Sequence, residues 1–531
     1  MKTLRFDAAV IGGGLGGVAA SLAMLESGLS VFLSEEYDWL GGQVSSQAVP
    51  PDENRRIESG GGTQRYLAWR NRVRDYYRRN YPLTEAAKND PMLNPGGGSV
   101  SALCHEPKVA AAVFDELLAP YVSSGQLCLM RNTIPQSVEV DGRKITAVVV
   151  KREDVCVRIE APYVLDATEL GDLLPLSGTA YTTGAEAKAD TGEDHAVDVA
   201  DPMDMQSITW CFAMSKGREG ENHVIEKPAD YDYYKQHLSE FWPGTQLQWE
   251  YTHPITLETV RGSIDPGTKL RDLWTYRKVF TRTHFPEDME VDEITIVNWP
   301  QNDYWLGSII EVSPEERRHH LEQAKSISLC WFYWLQTEAP REDGRIGYPE
   351  LYLRPDSVGT ADGFAKAPYI REARRIHPLY RVTEGDVGYD MRKRLLGEGV
   401  PVEAEQYFDS VGVGYYRIDL HPSCSGRNYI DIESLPFQIP LGALIPQDRD
   451  NLLAANKNIG TTHITNGCYR LHPVEWNIGE SCGHVVSFCL RNSCKPADIR
   501  SNATLLGELQ QELLEAGIPL EWAKDQRAGL N

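Results

Sequence analysis

The sequence predicts an α/β fold in which a parallel-sheet domain is split by a large inserted α+β domain. Three observations predict it. First, an apolar strand, Ala8 to Ile11, runs into Gly12-Gly13-Gly14-Leu15-Gly16-Gly17; a small-residue helix follows, and a second strand, Ser30 to Leu33, ends at Glu35, 18 positions after the last glycine. Second, this β-α rhythm is lost from about residue 180 to 435, where Trp, Tyr and Pro are frequent. Third, the rhythm returns at Asn451 to Asn456 as a strand, a loop and a small-residue helix over 473–491. A chain of 531 residues suits two to three domains, or one large core carrying an insert.

Each glycine of the first turn has a separate task. Gly12 permits the tight turn, Gly14 lets backbone approach a pyrophosphate, and Gly17 lets the helix lie close to the sheet. The free N–H groups and positive end of the helix hold phosphate charge. Glu35 is placed to accept from ribose hydroxyls; Glu36 is the neighbouring option, but strand alternation favours Glu35. The unit alone fits NAD or FAD. The loop ending in Gly41-Gly42-Gln43 favours FAD, because two-dinucleotide flavoproteins resemble it there.

The formal net charge of −23 opposes a nucleic-acid or anionic-membrane partner. No apolar run reaches the length of a membrane span. The first strand begins by Phe6, which leaves no room for a secretory leader. Ten cysteines, none spaced C-x-x-C, argue against a redox disulfide, zinc or iron–sulfur centre, so no metal site is expected. The expectation is a cytoplasmic enzyme with a small-molecule substrate and an unassigned electron acceptor or donor. Its oligomeric state is open to a homo-oligomer.

The remaining elements follow in order. Residues 65–79 carry six arginines among aromatics at helical spacing and read as a helix with solvated arginines and buried aromatics. Glu106 to Leu118 predicts a helix with Pro107 in its first turn. Strands are expected at Leu127 to Met130, Ser137 to Val140 and Ile145 to Val150, with Asp141-Gly142 turning the last pair into a hairpin. Tyr163 to Thr168 is a buried strand ending in a polar turn. Residues 186–204, with seven acids and one lysine, read as a mobile surface loop. His319 and His320 sit on a polar helix and read as surface residues. Gly479 and Gly483 share one helix face for close packing, and the tail from Leu505 to Ala516 predicts another helix. Domain boundaries follow as 1–180 with 436–495, an insert over 181–435, and a helical tail over 496–531.

With Gly12-x-Gly14-x-x-Gly17, Glu35, Gly41-Gly42-Gln43, Val164-Leu165-Asp166-Ala167-Thr168 and the block Asn451 to Gly483, the chain resembles the FAD-dependent oxidoreductases of the glutathione-reductase-like superfamily. It stands nearer their fumarate-reductase branch than the disulfide reductases. The resemblance covers nearly the whole chain and implies a split Rossmann-like FAD-binding domain. It implies cofactor contacts from Gly12, Gly14, Leu15, Gly17, Glu35, Glu36, Gly42, Gln43, Ser46, Ala167, Thr168, Asp172, Asn458, Ile459, Arg470, Pro473, Asn477 and Ile478. Two departures stand out: Asn456-Lys457-Asn458 replaces the usual Gly-Arg or Gly-Asp step, and Glu169 follows Thr168 where the family often has glycine.

Flavin chemistry on an alcohol or amine needs a base, and His472 and His463 lie in the loop expected to face the flavin. Arg470 is the expected clamp for flavin or a substrate anion. His105, His421, Tyr416, Arg417, Arg371 and Arg375 are further pocket candidates. The leading reading is a FAD-dependent oxidoreductase that moves hydride between a small organic molecule and flavin. A flavin monooxygenase or halogenase is the alternative enzyme class, and a FAD-dependent RNA-modifying or RNA-binding protein the alternative outside it.

Overall fold

A computed structural model describes residues 1–267 and 271–528. The elements that place the site begin with β1 (Ala8–Ile11), α1 (Leu15–Glu26) and β2 (Val31–Ser34). Next come α2 (Gln64–Asn80), α3 (Pro107–Ser124), β3 (Leu127–Met130) and β4 (Tyr163–Asp166). The insert contributes α4 (Pro314–Thr337), and the chain closes with β5 (Leu452–Ala454), α5 (His463–Tyr469), α6 (His472–Asn492) and α7 (Ala503–Glu515).

The five strands form one parallel sheet in the order β5-β4-β1-β2-β3. Ile11 registers with Ser34 on one side and Asp166 on the other, so the three strand ends lie level. The chain leaves β1 towards β2 but returns on its far side at β4, which makes β1/β4 the reversal point where α/β sheets bind ligands. All residues of β1 and β2 are buried, as a parallel sheet covered on both faces requires. α6 crosses α1 at very short range: a Cβ on Gly479 would lie 1.9 Å from the Gly16 carbonyl oxygen. That closeness explains the glycines read as a packing face.

The expected hairpin forms between Ile134–Asp141 and Lys144–Arg152, and Gly142 takes φ +57° in its turn. The insert builds an antiparallel sheet from Phe212–Lys216, Lys278–Phe280, Ile294–Val297 and Leu351–Leu353. α4 is started by a capping box: Ser313 Oγ accepts from Glu316 N, and the Glu316 carboxylate accepts from Ser313 N. It supplies an aromatic core in which Trp331 stacks on Trp334 at 4.8 Å. Ile376, Val382, Val387 and Val411 pack instead with the parallel-sheet core.

Three local expectations are corrected. α3 continues past Leu118 to Ser124, carrying Pro120 on its exposed side. On α2, Tyr66, Trp69 and Tyr77 are buried as read and Tyr76 is half-buried, but Arg70 and Arg74 are buried too. Arg70 pairs with Glu53 at 2.8 Å, and both arginines reach Glu58 at 2.6 Å. Acids from the irregular loop thus neutralise the helix from the inside. Within 186–204, Glu186 and Glu193 are buried: Glu186 pairs with Arg375 at 3.1 Å, and Glu193 accepts from Thr462 Oγ1 at 2.6 Å. Among the described residues no helix is long and apolar enough to cross a membrane.

Candidate active site

The turns after β1 and β4 meet at the reversal point. Asp166 accepts from Thr168 N at 3.0 Å, Thr168 Oγ1 at 2.7 Å and Leu173 N at 3.1 Å, curling residues 167–173 around its carboxyl. Burial pushes that carboxyl up to about 7. Glu35 accepts from Gly13 N at 2.8 Å and Tyr37 N at 2.9 Å, and burial pushes it up to about 8. Gly12 must be glycine here: its φ is +104°, and a Cβ would lie 2.1 Å from Ala167 O.

A cavity of about 400 Å³ opens beside these turns. Its wall holds Gly12, Gly14, Glu35, Glu36, Gly42, Ser46, Ala167, Thr168 and Asp172, nine of the residues expected to touch cofactor. Arg317 and Leu321 of α4 complete it from the insert, which sequence reasoning missed because α4 lies far away in the chain. Leu15, Gly17, Ile459 and Ile478 are buried without lining it. Gln43 Nε2 donates to Arg470 O at 3.0 Å and also to Glu475. Asn458 Nδ2 donates to Asp166 O at 3.1 Å, and Pro473 occupies the first turn of α6. Asn477 turns to Val413 N at 3.0 Å and to Ser481 Oγ, away from the cavity.

The two departures from the resembled pattern are partners: Lys457 Nζ donates to Glu169. Glu169 Oε1 is buried with no hydrogen-bond partner among the described residues. It would lie 3.0 Å from a Cβ on Gly14, and Glu475 Oε1 would lie 3.2 Å from the same atom. Glu475 also accepts from Gly16 N at 3.2 Å, and burial pushes it up to about 7. The mouth of α1 therefore holds helix N–H donors, a buried lysine and two carboxylates.

A second cavity of about 140 Å³ lies where the insert meets the start of α6. Arg470 reaches it, donating to Tyr369 OH at 2.8 Å and to Asp419 Oδ2 at 3.3 Å. Arg371, Tyr416, Arg417 and His421 join it, as do Asp52, Arg277 and Asn298. Asp52 pairs with Arg277 at 3.1 Å, and its N–H donates to His472 Nδ1 at 3.0 Å. That bond places the His472 hydrogen on Nε2, which has no partner among the described residues, and burial pushes His472 down to about 4. His472, His463 and Arg375 line neither cavity. His463 Nδ1 sits 2.9 Å from Glu372 Oε1. Burial would raise Glu372, but His463 and Arg375 outweigh it and hold that carboxyl at about 2. Arg277 and Asn298 carry no local signal that marks them as pocket residues. Among the described residues no cluster of three or more His, Cys, Asp or Glu is arranged to hold a metal.

The parallel sheet, its glycine turn, the terminal acid and the adjoining cavity define a dinucleotide-binding protein. Residues 7–513 match the family described as FAD dependent oxidoreductase, and the chain belongs to that family, whose cofactor is FAD. No curated protein sequence matches significantly. Among solved structures, a geranylgeranyl bacteriochlorophyll reductase-like protein from Thermoplasma acidophilum aligns over 97% of this chain and 85% of its own, at 10% identity and TM-score 0.32. L-proline dehydrogenase from P. horikoshii aligns over 36% of this chain and 26% of its own, at 20% identity and TM-score 0.18. Mycobacterium smegmatis Sdh1 in complex with UQ1 aligns over 41% of both chains, at 14% identity and TM-score 0.23. The chain thus spans less than half of each of those last two.

Proposed function

We propose that this protein oxidises or reduces a small organic molecule by hydride transfer with FAD, the adenosine and diphosphate lying along the larger cavity and the substrate in the smaller. The observation that carries the reading is the loop joining them. Gly42, Ser46 and Gln47 line the first cavity and Asp52 the second. The insert is tied to the same loop by Ala367 N to Ser46 O at 2.9 Å and Ile370 N to Gln47 Oε1 at 3.2 Å.

The residues present fit the dinucleotide. Glu35 offers a carboxylate to ribose hydroxyls, and Gly14 leaves room for a diphosphate against the α1 N-terminus. Lys457 adds a cation that offsets Glu169 and Glu475. When bound, the flavin supplies acceptance or donation of a hydride equivalent. Arg470 and the positive end of α6 favour negative charge near the smaller cavity. One GxGxxG unit, no C-x-x-C and a split sheet support placement on the fumarate-reductase side of the glutathione-reductase-like superfamily. Ten free cysteines and the acidic charge support a cytoplasmic setting. The test is anaerobic mixing of the flavin-loaded protein with a metabolite panel. Bleaching of the flavin absorption by one compound class is expected; a panel that never changes the flavin spectrum contradicts the reading.

A further inference from the structure

The wall of the smaller cavity has an unusual balance of hydrogen-bonding groups. Arg371, Arg470, Asn298 and Arg277 are each at most 9% exposed. The Nε of all three arginines and Asn298 Nδ2 have no partner among the described residues, and neither has the Tyr429 hydroxyl. Every one of these groups is able to donate. No carboxylate or carbonyl side-chain oxygen in this wall is left buried without a partner among the described residues. Buried donors left unmatched cost free energy, so the missing partner is rich in acceptors. Each arginine is already held through another of its nitrogens: Arg371 by Asp303, Arg470 by Asp419 and Arg277 by Asp52. The guanidinium planes are thereby fixed before any ligand arrives.

One group in the wall has the opposite need. His421 Nδ1 lies 2.5 Å from Asp303 Oδ2, and Asp303 is fully buried, also accepting from Arg371 at 3.1 Å. Asp303 therefore holds the imidazole hydrogen on Nδ1. His421 Nε2, at 3.9 Å from Asp419 Oδ2, is too far to bond it. Burial and then Arg371 keep His421 below the ordinary histidine range, so at neutral pH Nε2 is an acceptor. Besides Asp52, Asp419 and Asp431, each paired with an arginine, the cavity thus presents several donors and one neutral acceptor. Its 140 Å³ is close to the roughly 150 Å³ that takes a benzene-sized molecule.

Resting on the reading that this cavity is the substrate site, we propose that it binds a small 2-hydroxy carboxylate. The carboxylate engages the free donors of Arg277, Arg371, Arg470 and Asn298, and the hydroxyl donates to His421 Nε2. His421 is then the group placed to receive the hydroxyl proton.

The experiment is calorimetric titration of the FAD-loaded protein under anaerobic conditions with four probes: racemic lactate, lactamide, propionate and inorganic phosphate. Lactate is expected to bind at least tenfold more tightly than lactamide, which lacks the charge, and than propionate, which lacks the hydroxyl. Asn298→Asp keeps the side-chain shape and the oxygen that Arg371 uses, so it is expected to retain full flavin occupancy while weakening lactate at least tenfold. His421→Gln is expected to erase the preference for lactate over propionate. Equal binding of lactate and lactamide, tighter binding of phosphate than lactate, or no lactate binding by fully flavin-loaded protein overturns the proposal. Flavin absorption read on the same sample separates these outcomes from failure of the FAD reading, which shows as protein that takes up no flavin.

Discussion

Replacing Gly14 by alanine separates the diphosphate role of the first turn from its folding role. Gly14 has φ −64° and ψ −172°, backbone that alanine adopts freely. The three atoms nearest its new Cβ all belong to side chains: Glu169 Oε1 at 3.0 Å, Glu475 Oε1 at 3.2 Å and Asn456 Nδ2 at 3.6 Å. These can yield, so the folding cost reduces to a glycine-to-alanine change at a helix N-cap, about 1 kcal/mol or less. The methyl group nevertheless fills the space through which a diphosphate reaches the N–H groups of α1. Losing one charge-assisted hydrogen bond costs about 1.5–3 kcal/mol, or roughly 10- to 150-fold in affinity. Gly12→Ala is the contrasting variant. Its φ of +104° and a Cβ 2.1 Å from Ala167 O place the clash on backbone that cannot yield. It is expected to cost several kcal/mol of stability, at the upper range of about 0.5–3 kcal/mol for single substitutions or beyond. Titration of flavin-stripped protein with FAD, read by quenching of flavin fluorescence, gives the affinity; urea unfolding of the same samples gives the stability. Wild-type FAD affinity in Gly14→Ala, or a stability loss as large as that of Gly12→Ala, refutes the reasoning.

Three further outcomes follow from buried charge. Glu35 is raised from 4.5 to about 8, so the folded protein keeps a proton that the unfolded chain has lost; stability of the flavin-free protein falls as pH rises between those values. The slope reaches at most about 1.4 kcal/mol per pH unit, and urea unfolding of wild type minus Glu35→Gln isolates it. Ribose hydroxyls favour the ionised form, so FAD affinity of the wild type rises towards pH 8 and that of Glu35→Gln does not. Arg70→Met leaves Glu53, with 2% of its side chain exposed, without its buried cation, and is expected to cost about 3–5 kcal/mol in the same unfolding assay. Glu169→Gln removes negative charge beside Gly14 while Lys457 stays, so FAD titration is expected to show affinity rising by about tenfold, the equivalent of roughly 1.4 kcal/mol.

The parts of the site that were legible in sequence are those fixed by neighbouring residues. Gly12, Gly14 and Glu35 belong to one βαβ unit, whose geometry is set within a single turn of chain. Charge placement was not legible in the same way. Arg70 and Arg74 stand at positions that periodicity assigns to solvent or core alike. Only Glu53 and Glu58, in an irregular loop, decide that they turn inward. The acidic segment reads as solvated until Arg375 and Thr462 are seen to meet Glu186 and Glu193 from far along the chain. Glu169 and Lys457 each stood out as a departure from pattern, yet their pairing spans 288 positions and only the β4–β5 contact brings it about. The smaller cavity has the same character. His421 needs Asp303 to set its tautomer, and 118 positions separate them.

FAD is expected to occupy the cavity at the β1/β4 reversal. The most direct measurement is the absorption spectrum and released-flavin content of the purified protein, before and after reconstitution. A flavin band near ~450 nm and stoichiometric FAD are expected, with Gly14→Ala taking up less FAD at concentrations that just saturate the wild type. A colourless protein that takes up no FAD on reconstitution contradicts the account, as does flavin retained with wild-type affinity when Gly14 carries a side chain.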